Sequence, residues 1–384
     1  MKYLEVFLVA LRLGCTSFGG PTAHLGYFYD EYVKRRQWLT EQQYTNLVAL
    51  CQFLPGPASS QVGFGIGITK AGLIGGVISF IGFTIPSVII LMLCATLLLA
   101  YNNDLGWTHG LKLVAVAIVL NAIIGMGQKL LSDLKTKILA LFTLVVAITV
   151  IHPLAQLSAL TVVALVGLAL FKETDEQKDS IKIFNIPRIV GAISLILFFS
   201  LLFILPILNF VTNNSWINMV DNFYRSGALV FGGGHVVLPL LEQSFVATDM
   251  ISSDDFLSGY ALTQAVPGPL FTFAAYIGTV MSGITGGIIA TITIFLPAFL
   301  LLVGILPFWE HVQSNRYAKS MLKAVSAGVV GILIAAFYDP IFTSSVNTNM
   351  DFAFAATLFV LLAYCKAPSW LIVILGVLLG VLFY

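Results

Sequence analysis

The sequence predicts an all-α polytopic membrane protein of two inverted-topology repeats with broken or re-entrant helices, joined by one extra transmembrane helix. Three observations lead there. The 384 residues are 58% hydrophobic and only 10% charged, with a mean hydropathy of +0.96, whereas a soluble chain carries about a quarter charged residues. One unusual passage occurs twice, about 212 residues apart. Basic residues beside equivalent helices fall in opposite loops of the two copies, which the positive-inside rule places on opposite faces of a bilayer.

In the first copy Arg12-Leu13-Gly14 runs into Phe18-Gly19-Gly20-Pro21, and Gln52 leads into Pro55-Gly56-Pro57. In the second, Arg225-Ser226-Gly227 runs into Phe231-Gly232-Gly233-Gly234, and Gln264 leads into Pro267-Gly268-Pro269. Farther on, Gly72–Gly76 aligns with Gly283–Gly287 and Pro86 with Pro297. Self-similarity on this scale means one architecture used twice.

Along the chain, an apolar helix at 3–17 ends at the FGG break. Leu13-Gly14-Cys15 after Lys2 resembles a lipoprotein leader, but Arg12 interrupts its apolar core and the segment recurs around Arg225, so it belongs to the mature fold. A more polar stretch (24–37) follows, then a helix entering PGP (41–54) and one leaving it (58–70). Apolar helices at 73–100, 110–131, 136–151 and 155–171 complete the first half. The second half repeats the series at 219–230, 236–250, 253–266, 270–282, 284–307, 320–338, 352–365 and 368–384. The expected domains are therefore 1–171, a linker with an unpaired helix (about 189–211) over 172–211, and 212–384.

The helices flanking PGP are about 13 residues each, roughly 20 Å, too short for ~30 Å of hydrocarbon. They form either a re-entrant hairpin or one broken, tilted pass. The hairpin reading is favoured, because it gives each repeat an even number of crossings and lets the unpaired helix flip the second copy. The charges require that flip. Lys34-Arg35-Arg36 is answered by Glu242, Asp249, Asp254 and Asp255, and Lys135 with Lys137 by Asp339 and Asp351. Around the start of the helix at 110–131 and its counterpart at 320–338 the bias reverses, Lys112 standing against Arg316, Lys319 and Lys323.

A helix that starts inside a membrane presents unpaired N–H groups and a positive dipole end, both suited to an anion. The expected binding residues are thus Phe18, Gly19, Gly20, Pro55, Gly56 and Pro57, with Phe231, Gly232, Gly233, Pro267, Gly268 and Pro269. Ser59, Ser60 and Thr272 would add hydroxyl donors. The competing reading, that Gly and Pro only permit kinks and close packing, weakens when four breaks form two symmetric pairs. Arg12 and Arg225 each lie within an apolar helix, at a cost of roughly 2.5–3.5 kcal/mol, and a guanidinium fork matches an oxyanion. Snorkelling, or pairing with Glu31 or Glu242, is the alternative. Gln52 and Gln264 would bond substrate or cap the break. His24, Glu31, His235 and Glu242 are coupling candidates, although the two histidines are not equivalent in the repeat.

Other classes find little support. The net charge of +1 offers no surface for nucleic acid, and four scattered cysteines and five dispersed histidines suggest no metal, disulfide or cofactor. No GxxxxGK[ST] loop speaks for ATP, and no repeated Asp/His or Ser/Lys constellation speaks for an enzyme.

With FGGP, PGP and an upstream arginine repeated over nearly its whole length, the chain resembles the chromate transporter (CHR) family in its long two-domain form. The second copy departs from the pattern, with Gly234 where proline would stand. The resemblance implies two halves of opposite orientation, efflux of chromate with sulfate as a competing analogue, and coupling to the proton motive force. The expectation is a multi-pass inner-membrane secondary transporter of a tetrahedral oxyanion. A transporter of sulfate or another anion, or an anion channel on the same breaks, stays open.

Overall fold

The computed structural model describes residues 2–100, 106–150, 155–171, 186–231, 236–309 and 315–384. Gly232, Gly233, His235 and most of the linker lie outside the described residues. Among those described, every regular element is helical and no strand occurs.

Helix α1, Lys2–Thr16, ends where Gly19 and Gly20 take φ of 96° and 77° and turn the chain into α2, Gly20–Phe28, with proline in its first turn. The stretch expected to be merely polar continues as a π-helical turn, Tyr29–Arg35. Helix α3, Glu41–Phe53, opens on a Thr40–Gln43 capping box and runs into PGP.

Helix α4, Ala58–Ala100, is two arms that reverse at Ala71 and Gly72, where Gly72 has φ 73° and ψ −170°. The arms are antiparallel: Gly67 packs on Gly75, and Ser79 Oγ donates to the Gly63 carbonyl at 2.9 Å. The first arm also folds back on α3, with Leu47 against Gly65. In a straight run those residues would lie about 27 Å apart at 1.5 Å per residue, so this PGP is a hairpin tip.

The chain continues through α5 (Gly106–Leu130), α6 (Leu134–Thr149), α7 (Ala155–Leu170), α8 (Arg188–Thr212), α9 (Ser215–Ala228), α10 (Val237–Leu241) and α11 (Ser253–Ala265). Then come α12 (Phe273–Ile305), α13 (Arg316–Ala336), α14 (Asn349–Ala363) and α15 (Ser369–Phe383). Helix α12 reverses as α4 does, at Ser282 and Gly283, with Gly283 at φ 64° and ψ −162°. The matching backbone excursions, at sites the repeat aligns, reflect one local code written twice.

Among the described residues, five stretches are long and apolar enough to cross a membrane: Ala58–Ala100, Gly106–Leu130, Arg188–Thr212, Leu270–Phe308 and Arg316–Ser345. In α8 the most apolar window is only 11% buried within the protein, with Ile193, Ile196, Phe203, Ile207 and Phe210 exposed. Such a surface is stable only against lipid. The chain is a multi-pass membrane protein.

Two compact units form, each drawing on both halves of the sequence. The first comprises Met1–Ala95, Glu176–Val237 and Val266–Ser314. It holds α1–α4, α8, α9 and α12, with Phe64 stacked on Phe299 at 4.4 Å between ring centroids. The second comprises Thr96–Asp175, Leu238–Ala265 and Asn315–Tyr384. In it Gly106 and Gly110 of α5 meet Gly376 and Gly380 of α15 backbone to backbone, the small-residue seam that brings membrane helices close. Buried Lys112 pairs with Asp254 at 2.9 Å.

Candidate functional site

The breaks of the two halves are hydrogen-bonded crosswise within the first unit. The Gly56 amide donates to the Val230 carbonyl at 2.7 Å, and the Gly268 amide donates to the Ser17 carbonyl at 3.0 Å. Ser17 precedes Phe18 and Val230 precedes Phe231, so each PGP tip is tied to the approach of the other half's FGG. Both glycines sit near φ +110°, at 114° and 111°, a region closed to residues with a Cβ. The crossing leaves no room either. A Cβ on Gly56 would lie 2.7 Å from Ala298 Cβ, and one on Gly268 would lie 2.8 Å from Ser87 Oγ. Ala298 and Ser87 each follow the proline of the long helix in their half. Pro55, Pro57, Pro267 and Pro269 flank the tips, with Phe18 and Phe231 half-buried.

Buried hydroxyls and amides gather there. His24, fully buried, places Nδ1 3.3 Å from Ser59 Oγ and Nε2 3.2 Å from the Ser17 carbonyl. Ser17 Oγ, Ser60 Oγ and Thr84 Oγ1 are buried without a hydrogen-bond partner. Gln61 Nε2 donates to the Pro55 and Ala298 carbonyls, each at 3.1 Å. Thr272, equivalent to Ser60, instead donates to the Pro269 carbonyl at 2.6 Å. The first N–H groups after Pro57 have no partner within their own helix, so this end of the crossing presents donors, whereas the Thr272 hydroxyl at the other end is already engaged.

The arginines are equivalent in sequence and unlike in place. Arg12 has a side chain 60% exposed, with Nη1 3.9 Å from Glu31 Oε2. Glu31 takes hydrogen bonds from Arg35 at 3.0 Å and Arg36 at 2.7 Å. Burial pushes its carboxyl up, but the two guanidiniums outweigh that and hold it below its ordinary value. Arg225 is 35% exposed and donates from Nη2 to Asp221 Oδ2 at 2.6 Å and to Asn222 Oδ1 at 3.1 Å. Gln52 is exposed and stands apart from the buried donors.

Gln264 and Glu242 belong to the second unit. Gln264 Nε2 is buried without a partner, and Glu242 with Asp339 lines a cavity of about 350 Å³. Among the described residues no group of three or more His, Cys, Asp or Glu side chains could hold a metal.

Sequence reasoning missed Ser17, Gln61, Thr84, Ser87 and Asp221. Ser17 adjoins FGG, and Asp221 stands four residues before Arg225, a spacing at which helical side chains meet; those two signals were present. Nothing local marks Thr84 or Ser87: Ser87 Oγ donates to the Thr84 carbonyl at 2.9 Å, and its approach to Gly268 comes from a distant segment.

A family profile described as Chromate transporter matches residues 4–212 and 217–381. The chain is 28% identical to an uncharacterized transporter of Methanocaldococcus jannaschii, over 99% of this chain and 94% of that one. It is 26% identical to a chromate transport protein of Pseudomonas aeruginosa, over 88% and 81%. With a chromate transport protein of Cupriavidus metallidurans the identity is 23%, over 99% and 93%. No solved structure matches the chain.

Proposed function

Since the chain belongs to the chromate transporter family, we propose that it is a secondary active transporter of a tetrahedral oxyanion, chromate foremost, moving it outward across the inner membrane. The observation that carries this reading is the crossed pair of hydrogen bonds, Gly56 to Val230 and Gly268 to Ser17, with unpartnered buried hydroxyls beside it. Broken helices from two repeats meeting at one point are the usual binding architecture of secondary transporters. Unpaired N–H groups and buried hydroxyls at this break offer donors to an oxyanion, which accepts only.

In this reading Ser17, Ser59, Ser60 and the N–H groups after Pro57 contact the anion, and Arg225 supplies the fork. The Gly and Pro residues shape the crossing. The repeats, 1–171 and 212–384, are inserted in opposite orientation as the loop charges indicate, and access to the crossing alternates between the two faces of the membrane. The P. aeruginosa and C. metallidurans relatives are named for chromate transport, which favours chromate over sulfate as the cargo.

The test is flux of radiolabelled chromate and sulfate into everted vesicles under an imposed proton gradient. Saturable, gradient-dependent accumulation is expected in the wild type. Arg225→Lys keeps the charge but loses the fork and should lower flux at least tenfold, whereas exposed Arg12→Lys should lower it less. Non-saturating flux would indicate a channel, and normal flux in both variants would remove the arginines from the site.

A further inference from the structure

The Asp221–Arg225 pair resembles no saturated structural salt bridge. Asp221 is wholly buried, and its Oδ2 takes the 2.6 Å hydrogen bond from Arg225. Its Oδ1, also buried, has no partner. Arg225 Nε is likewise buried without one. A buried ion pair repays its desolvation only when the remaining lone pairs and protons are satisfied, and here both members are left short by one.

The surroundings are polar but supply no second charge. Asn209 of α8 faces the carboxylate, yet its Nδ2 goes to Asn218 Oδ1 at 3.2 Å, and Asn222 Nδ2 goes to the same oxygen at 3.0 Å. Helix α8 carries one ionisable side chain, Arg188 at its far end, and α12, also packed on α9, carries only Tyr276. Among the described residues of α8, α9 and α12, Arg225 is therefore the one charged group that faces Asp221. The first repeat has Leu8 and Val9 where the second has Asp221 and Asn222, so this network exists once.

We propose that Asp221 is the proton-binding site coupled to the oxyanion, acting by competition for Arg225; this rests on the transport reading above. With Asp221 ionised, the guanidinium is held by an internal carboxylate that occupies the place of the anion. A proton from water adds to Oδ1, the carboxylate becomes a neutral carboxyl, and its charge no longer holds Arg225. The freed fork then takes the oxyanion. Proton and anion bind together, one proton per anion, because each removes the obstacle to the other.

Equilibrium binding of radiolabelled sulfate to the purified full-length protein tests this, sulfate staying a dianion from mildly acidic to mildly alkaline pH. Wild-type affinity should rise about tenfold per unit of acidification above the carboxyl's own titration, the slope for one linked proton. Sulfate added at neutral pH in weak buffer should draw one proton from solution, a readout that needs no variant. Asp221→Asn should bind sulfate with affinity independent of pH and take up no proton. A wild-type affinity flat in pH, or a wild-type slope surviving in Asp221→Asn, overturns the proposal while leaving oxyanion transport standing. If neither sulfate nor chromate binds the wild type at any pH, the transport reading falls and this one with it.

Discussion

The Gly56 amide meets the Val230 carbonyl at 2.7 Å across a sequence distance of nearly half the chain, and its counterpart joins Gly268 to Ser17 at 3.0 Å. Each half thus completes the other half's broken segment. A helix break in an apolar environment leaves backbone groups that must be satisfied by protein, and here the partner break supplies them. Neither half can hold its tip alone, which ties the folding of the repeats to one another.

This crossing makes Gly56 and Gly268 unequally sensitive. Alanine at either position enters a strained backbone region at about 1–3 kcal/mol. At Gly56 the added methyl also meets the Ala298 methyl, whereas at Gly268 it meets the Ser87 hydroxyl, which rotates or can be removed. Thermal unfolding in detergent should rank Gly56→Ala below Gly268→Ala, and adding Ser87→Ala should recover part of the second loss only. Equal losses would show that strain, not the contact, dominates.

The unpartnered hydroxyls separate binding from stability. Ser60 Oγ and Ser17 Oγ bond nothing in the protein, so Ser60→Ala and Ser17→Ala should leave thermal stability unchanged or slightly raised. A hydrogen bond to a charged ligand is worth about 1.5–3 kcal/mol, so KM for the oxyanion should rise roughly ten- to a hundredfold. Unchanged KM in both variants would place the anion elsewhere.

Glu31 should behave as a fixed negative charge and carry no transported proton. Its carboxyl is held below its ordinary value despite burial, by Arg36 and Arg35. A depressed carboxylate stabilises the fold above its unfolded titration range, and that contribution is lost as pH falls through the folded value. As pH falls below the ordinary glutamate range, about pH 4.3, wild-type melting temperature should therefore fall more steeply than that of Glu31→Gln. Parallel pH curves for the two would remove Glu31 from the acid response.

In the second unit the α5–α15 seam should tolerate no side chain at Gly110, where a Cβ would run into the Gly376 carbonyl. Gly110→Ile should destabilise strongly, since overpacking alone costs about 1–3 kcal/mol and here the backbones must part. Gly125 on the same helix has open space around it, so Gly125→Ala should be neutral or gain up to about 1 kcal/mol of helix propensity. Comparing unfolding of the two variants checks the seam directly.

Much of the architecture was legible because its causes are local. Apolar runs too long and too unbroken for a water-soluble fold made the membrane assignment, and the turns at Gly72 and Gly283 follow from glycine's access to positive φ, which a sequence displays. The repeat and its motifs led to the family, and the paired breaks with upstream arginines led to an oxyanion. Only the tertiary structure decided that each PGP tip bonds to the opposite half. It also separated two arginines that look identical in the repeat, leaving Arg12 exposed beside Glu31 and holding Arg225 on buried Asp221. The reason is physical: a side chain's burial and partners depend on which distant segments pack around it, and that information is spread over some two hundred residues on either side.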